Sequence, residues 1–260
     1  MKLTLGQFEP VIGDKQLNLR KMEEIMEQAA AEDSNLVLFP ELSLTGYFIQ
    51  DLKEEMAEPI DGESIQHMQT LCKKLRVYTV FSWPELGEDG LIYNSACLIS
   101  DQGEIVGNYR KVHLYDREKE IFSPGDTFKV FDTDLGRIGI MICFDLDFPE
   151  SARSLHAGGA DIIVVPTNNF YPYARFQEAY LKARSMENEL PVAICNRTGQ
   201  EQDLVYFGES AAYDAHGYQL KKLDDTAHAA TVEIPLNQEK DDKLSYKANR
   251  IPQAYRKLTE

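Results

Sequence analysis

Apolar positions along this chain recur with two spacings. "LTLGQF" (Leu3–Phe8) alternates apolar and small or polar residues and predicts a strand, whereas Met22, Ile25, Met26, Ala29 and Ala30 recur every three or four residues and predict one face of a helix. "LVLFPE" reads as a short buried strand, residues 63–75 as a second helix, and "VYTVFSW" as another strand. "LIYNSACLIS" and "EIVGNYRK" follow, joined by "DQG" as a hairpin turn. The next strand is "RIGIMIC", and a helix starts around Pro149, a residue favoured in a first turn. After the strand "DIIVVPT", Phe176, Tyr180 and Ala183 mark a helix running through "ARSMEN". "PVAICN", "GESAAYD" and "HAATVEI" complete the strands.

Strands outnumber helices and occur in both β-α-β and hairpin arrangements. That combination predicts mixed sheets with helices packed outside them, an α/β layered sandwich rather than a purely parallel doubly wound sheet. The chain has 260 residues, 43% of them hydrophobic, with no low-complexity linker, which suits one domain over residues 1–260.

Charge narrows the partners. Lys and Arg number 27 against 43 Asp and Glu, a net charge of −16, so the basic patches that nucleic acid or an anionic membrane requires are not expected. The opening "MKLTLGQFEPVIGD" breaks its apolar run with Gln and Glu, unlike a signal peptide, and no stretch approaches the ~18–20 apolar residues of a membrane span. Cys72, Cys97, Cys143 and Cys195 are scattered, with no CxxC pair and no zinc-like spacing to histidine. A cytoplasmic protein with reduced thiols and no metal or cofactor is the expectation.

Functional groups of open α/β sheets gather beyond the carboxyl ends of strands. Three residues stand there: Glu41 after "LVLFP", Lys111 after "NYR", and Cys143 at the end of "IGIMI". Singly, a glutamate or lysine at a loop start is usually solvated, and a buried cysteine usually packs as a small hydrophobe. Together they make a chemistry. A cysteine between strand and helix can face the positive helix N-terminus, which favours thiolate, and frees the next backbone N–H, that of Phe144, for an oxyanion. A carboxylate in a dry pocket can act as a general base near neutral pH, and a lysine beside it can stabilise a tetrahedral intermediate. Thiol acyl transfer then needs no histidine.

These segments resemble the nitrilase (carbon–nitrogen hydrolase) superfamily, its amidase-like branch in particular. "FPELSLTGY" is similar to the family's glutamate motif, "YRKVHLYD" to its lysine motif and "GIMICFDLDFPE" to its cysteine motif, in the family's order; "GESAAYDAHG" and "RIPQAYRKL" also resemble family features. The resemblance covers nearly the whole chain. It implies a four-layer αββα sandwich that dimerises, and a small-molecule amide substrate. It also implies a second glutamate before a Pro-Gly turn; Glu118, six residues before Pro124, fits better than Glu120. The implied mechanism has Glu41 as base, Cys143 attacking the amide carbon, and Lys111 with the Phe144 N–H holding the oxyanion. Glu118 orients substrate or Lys111.

Other residues keep two readings. Asn168 and Asn169 follow a strand end and either touch substrate or cap the next helix. Tyr47, closing the glutamate motif, is a further substrate-binding candidate. Arg184, Glu187 and Asn188 are explained by ion pairing on a helix face. His113 and His156 are the alternative partners of a Cys–His dyad, and His113 reads as a packing or hydrogen-bonding residue. Asp147 departs from the family, many of whose members carry arginine there. An acid at this place disfavours carboxylate-bearing substrates and suits a neutral or amine-bearing amide, unless it only caps the helix at Pro149. Hydrolysis of a linear carboxamide is the leading reading. A carbamoylase or nitrilase with the same residues comes next, then a catalytically idle scaffold.

Overall fold

The computed structural model describes residues 1–238 and 243–258. The chain begins with β1 (Lys2–Gln7), α1 (Lys15–Ala31), β2 (Leu36–Leu38), a short α2 (Lys53–Met56) and α3 (Glu63–Leu75). β3 (Tyr78–Leu86), β4 (Ile92–Ile99), β5 (Ile105–Arg110), a single-turn α4 (Glu118–Ile121), β6 (Val130–Thr133) and β7 (Gly136–Ile140) follow. A 3-10 turn (Cys143–Asp147) leads into α5 (Pro149–Ala157), β8 (Ile162–Thr167), α6 (Ala174–Asn188) and β9 (Val192–Asn196). The rest are β10 (Thr198–Glu201), β11 (Leu204–Phe207), β12 (Ala211–Tyr213), β13 (Gln219–Lys222), β14 (His228–Glu233), α7 (Tyr246–Asn249) and a 3-10 segment (Pro252–Leu258).

Among the described residues the strands form two large sheets of matching design. One has the order β14-β1-β2-β3-β4-β5 and the other β13-β12-β9-β8-β7-β6, with β10 and β11 paired apart. In the first, β1, β2 and β3 run parallel, Leu3 opposite Leu36 and Leu36 opposite Tyr78. In the second, β7, β8 and β9 run parallel. Antiparallel strands flank both trios.

The period-two pattern of the strands assigns the layers. Leu3, Leu5, Leu36, Leu38, Val80 and Leu98 of one sheet meet Ile138, Ile140, Ile162, Val164 and Ala193 of the other in a core between the sheets. The alternate residues Val37, Phe81, Cys97 and Ile99 turn outward onto Met22 and Met26 of α1 and Met68 and Leu71 of α3. On the other side Ile163, Val165, Val192 and Ile194 pack against Leu155 of α5 and Leu181 of α6. The result is the expected αββα sandwich with mixed sheets. No helix of the described residues is long and apolar enough to cross a membrane.

Two local expectations are corrected. "RIGIMIC" does not remain a strand to its cysteine: pairing with β8 ends at Ile140, and Cys143 enters a 3-10 turn. The buried face of α6 is not Phe176, Tyr180 and Ala183 but Gln177, Leu181, Arg184, Ser185 and Asn188, because this helix packs on a turn with carbonyls to satisfy. β6, β10, β11 and β13 were not anticipated; each has only four residues, too few for alternation to stand out.

Candidate active site

The parallel trios end side by side. The Glu41 N–H, just past β2, donates to the carbonyl of Thr167, the last residue of β8, at 3.4 Å, so the carboxyl ends of the two sheets meet. Lys111 follows β5, its N–H donating to the Asn94 carbonyl of β4 at 2.8 Å. Glu41 and Lys111 are completely buried, and Glu118 is nearly so.

Burial forces these charges together. Lys111 Nζ donates to Glu41 Oε1 at 2.6 Å and to Glu118 Oε1 at 2.8 Å. Asn94 Nδ2 also donates to Glu41 Oε1, at 2.8 Å, while Glu41 Oε2 is buried without a hydrogen-bond partner among the described residues. Glu118 accepts in addition from the Tyr47 hydroxyl at 2.8 Å and the Tyr115 N–H at 3.1 Å. Burial alone would pull the Lys111 ammonium down, but Glu118 and Glu41 hold it well above its ordinary range. Burial raises the Glu118 carboxyl, with Glu41 adding to it and Lys111 opposing. Glu120, the other acid considered, is exposed.

Cys143 opens the 3-10 turn with φ +47, a left-handed conformation that a side chain adopts only under constraint. The constraint is Asp145, fully buried, which gathers four donors. Oδ2 accepts from the Ile142 N–H at 3.0 Å and the Tyr109 hydroxyl at 2.6 Å. Oδ1 meets the His113 N–H at 2.9 Å and His113 Nδ1 at 2.8 Å. Arg184 supports the other end of the turn, donating from Nε to the Leu146 carbonyl at 2.9 Å and from Nη2 to the Asp147 carbonyl at 2.8 Å. Its pair with Glu187, 3.1 Å, is therefore only part of what Arg184 does.

The thiol is not biased toward thiolate, contrary to expectation. Burial and then the Glu41 charge push it well above the usual thiol range, with Lys111 opposing. A five-residue 3-10 turn supplies too few aligned peptides to offset this. Cys143 Sγ lies 3.5 Å from Asn169 Oδ1. Phe144 is the second residue of the turn, where a backbone N–H has no intrahelical acceptor.

The thiol opens on a cavity of about 220 Å³ lined by Tyr47, Glu118, Phe144, Asp147, Asn168 and aromatic side chains of the 170–180 segment, among others. All four substrate-binding candidates thus face one space with Cys143 and Glu118. Asn168 is 2% exposed, and neither its amide oxygen nor its amide nitrogen has a partner among the described residues. It does not cap α6, whose N-cap is Tyr173. Asn169 is used structurally as well, donating from Nδ2 to Gln177 at 2.9 Å. Asp147 does not cap α5 either, since Phe148 holds that position without a side-chain bond. His113 is stacked on Phe148 at 3.8 Å besides binding Asp145, a hydrogen-bonding and packing residue as read from sequence. Among the described residues no group of three His, Cys, Asp or Glu could hold a metal ion.

Sequence reasoning missed Asn94 and Asp145. Asn94 left a trace as a polar residue inside the apolar run "LIYNSACLIS", and Asp145 as an acid directly behind the cysteine.

Comparison with known proteins gives these positions a context. A family model described as carbon-nitrogen hydrolase matches residues 2–243. A probable nitrilase of Schizosaccharomyces pombe is 36% identical, over 97% of this chain and 96% of its own. An (R)-stereoselective amidase of a Pseudomonas species is 33% identical, over 95% and 89% respectively. Among solved structures, a mutant of the amidase from Nesterenkonia sp. AN1 superposes with a TM-score of 0.90 at 27% identity, covering 99% of this chain and 96% of that one. That structure shows covalent addition of the acetamide moiety of fluoroacetamide at its active site cysteine.

Proposed function

Because the chain belongs to the carbon–nitrogen hydrolase family, we propose that it hydrolyses a small linear carboxamide to a carboxylic acid and ammonia through a thioester on Cys143. The observation that carries this reading is the Glu41 carboxylate: one oxygen is spent on Lys111 and Asn94, and the other is buried and unspent in the electrostatic neighbourhood of the Cys143 thiol.

In the first half-reaction Glu41 takes the thiol proton as sulfur bonds to the amide carbon. A thiol held neutral at rest suits this, since proton and bond move together and no free thiolate need persist. The carbonyl oxygen becomes an oxyanion between the Phe144 N–H and Lys111. Two Nζ donors are engaged by Glu41 and Glu118, which leaves a third for the oxyanion. Glu41 returns its proton to the nitrogen, the C–N bond breaks and ammonia departs. Water then adds to the thioester with Glu41 taking its proton; the C–S bond breaks, the sulfur regains a proton and the acid leaves.

Glu118 keeps Lys111 oriented, and Tyr47 in turn orients Glu118. The unspent donor and acceptor of Asn168 complement a carboxamide, which presents one of each. A screen of carboxamides, N-carbamoyl amines and nitriles, read by ammonia release, tests the reading. Ammonia from carboxamides is the expected result. Turnover confined to carbamoyl compounds or nitriles would move the activity elsewhere in the family, and no turnover at all would favour a scaffold.

A further inference from the structure

The cavity holds two carboxylates in opposite circumstances. Glu118 is saturated by Lys111, Tyr47 and the Tyr115 amide. Asp147 lines the same space but is exposed, and its carboxylate has no hydrogen-bond or ion-pair partner among the described residues. The nearby cations are already committed: Arg184 to Glu187 and the carbonyls of Leu146 and Asp147, and Lys111 to Glu41 and Glu118. The cavity wall is otherwise largely aromatic, with Tyr115, Phe170 and Tyr173, and with Phe176 and Tyr180, whose rings already carry the Arg175 and Arg184 guanidinium groups. Aromatic faces beside an uncompensated carboxylate form the surroundings that favour an organic cation, through ring quadrupoles and a counter-charge.

The spacing suits a bifunctional ligand. Cys143 and Asp147 are the first and last residues of one 3-10 turn, about 8 Å apart along its axis at about 2.0 Å per residue. Asp147 therefore lines the same cavity as the thiol from the far end of that turn.

We propose that the site selects carboxamides bearing a protonated amine at the end remote from the amide, with Asp147 as counter-charge and the Tyr115, Phe170 and Tyr173 rings as the cation's walls. This inference rests on the amidase reading above. A substrate carboxylate is excluded by the same residue through like-charge repulsion in a partly desolvated space.

The test uses three linear amides of equal length ending in an amino, a methyl or a carboxy group. In the wild type kcat/KM should rank amino above methyl above carboxy, chiefly through KM. Asp147→Asn should lower the amino-to-methyl ratio about 3- to 30-fold, the range of a partly desolvated cation contact. Asp147→Arg should lower it further and raise the carboxy amide relative to the methyl one. Partial desolvation raises the Asp147 carboxyl to about 6, against the opposing charges of Arg184 and Lys111, so the ratio should rise with pH through that region. The alkylammonium, at about 10.4, stays protonated throughout, and titrations common to both substrates cancel in the ratio.

Calorimetric binding of the three amides to the Cys143→Ala protein reads the same preference without turnover, so failure of the amidase reading leaves this one testable. Equal or better use of the methyl amide by the wild type overturns the proposal. So does a ratio unchanged in Asp147→Asn, or amino and methyl amides that bind Cys143→Ala equally.

Discussion

The backbone N–H of Tyr47 donates to the Glu201 carboxylate at 3.0 Å, and that of Phe48 adds a second bond at 3.2 Å. Glu201, at the end of β10, is itself held by the buried Arg197 guanidinium, which stacks over the Tyr206 ring at 4.2 Å and reaches the Pro10 carbonyl. The tight turn before Tyr47 passes so close that a Cβ on Gly46, at φ +78, would stand 2.8 Å from the Glu201 carboxylate. A buried ion pair outside the proposed catalytic cluster thereby sets the backbone that carries Tyr47 to Glu118.

Removing one member of that pair should be costly in two separable ways. Glu201→Gln leaves Arg197 buried without its counter-charge, and about 3–5 kcal/mol of stability should be lost, read as a lower Tm. The double variant Glu201→Gln with Arg197→Met removes the charge as well and should recover much of the Tm. Its kcat/KM should nonetheless stay depressed, because the Tyr47 amide no longer meets a carboxylate. Recovery of both together would mean the pair serves folding alone.

The raised Cys143 thiol makes its reactivity a gauge of the charges around it. Alkylation by iodoacetamide should be slow at neutral pH and accelerate only above the ordinary thiol range, because burial and Glu41 disfavour the thiolate. The adduct should form on Cys143, since Cys72, Cys97 and Cys195 are fully buried, Cys72 with its thiol pushed up to about 12. Glu118 contributes to the rise at Cys143, so Glu118→Gln should move the onset of alkylation to lower pH while amide turnover falls. An onset unchanged in that variant would remove Glu118 from the neighbourhood of the sulfur. Peptide mapping by mass spectrometry locates the label.

Replacing the general base tests the proposed chemistry directly. Glu41→Gln should keep the fold, since the buried side chain retains its volume, and lower kcat by roughly 10²–10⁴ or more. Prior treatment with EDTA should leave wild-type turnover unchanged. Activity lost to the chelator and restored by zinc would place the reaction in another mechanistic class.

How much of this was legible beforehand follows from how far apart the interacting residues lie. The strands of the sandwich show in sequence because alternation is local, and α3 was read with the bounds it has, residues 63–75. Glu41, Lys111 and Cys143 were accessible because each follows a strand end. The left-handed conformation of Cys143 was not, since it depends on Asp145 gathering donors from Tyr109 and His113, more than 30 residues earlier. The polar face of α6 was missed for a similar reason: periodicity marks apolar stripes, whereas Arg184 is buried to serve the carbonyls of Leu146 and Asp147. The hand-over from Arg197 to Glu201 to Tyr47 spans more than 150 residues and left no local signal.

His113 separates the glutamate-based mechanism from a Cys–His dyad. Its ring is committed to Asp145 through Nδ1 at 2.8 Å and lies flat on Phe148, 3.8 Å between centroids with 9° between the planes. In that posture its service is to Asp145 and hence to the backbone at Ile142, one residue before Cys143. Asparagine at this position can still offer Asp145 a donor, although it loses the stacking on Phe148. His113→Asn should therefore lower Tm modestly and keep kcat within about tenfold of the wild type, whereas loss of a general base costs about 10²–10⁴. Asp145→Ala, by contrast, strips the acceptor from the Ile142, His113 and Tyr109 donors at once, and each buried donor left unpaired costs about 1–3 kcal/mol. That variant should lose both stability and turnover. A His113→Asn enzyme that folds normally yet loses a thousandfold in kcat, with a changed pH profile, would make the imidazole the base and displace Glu41 from that role.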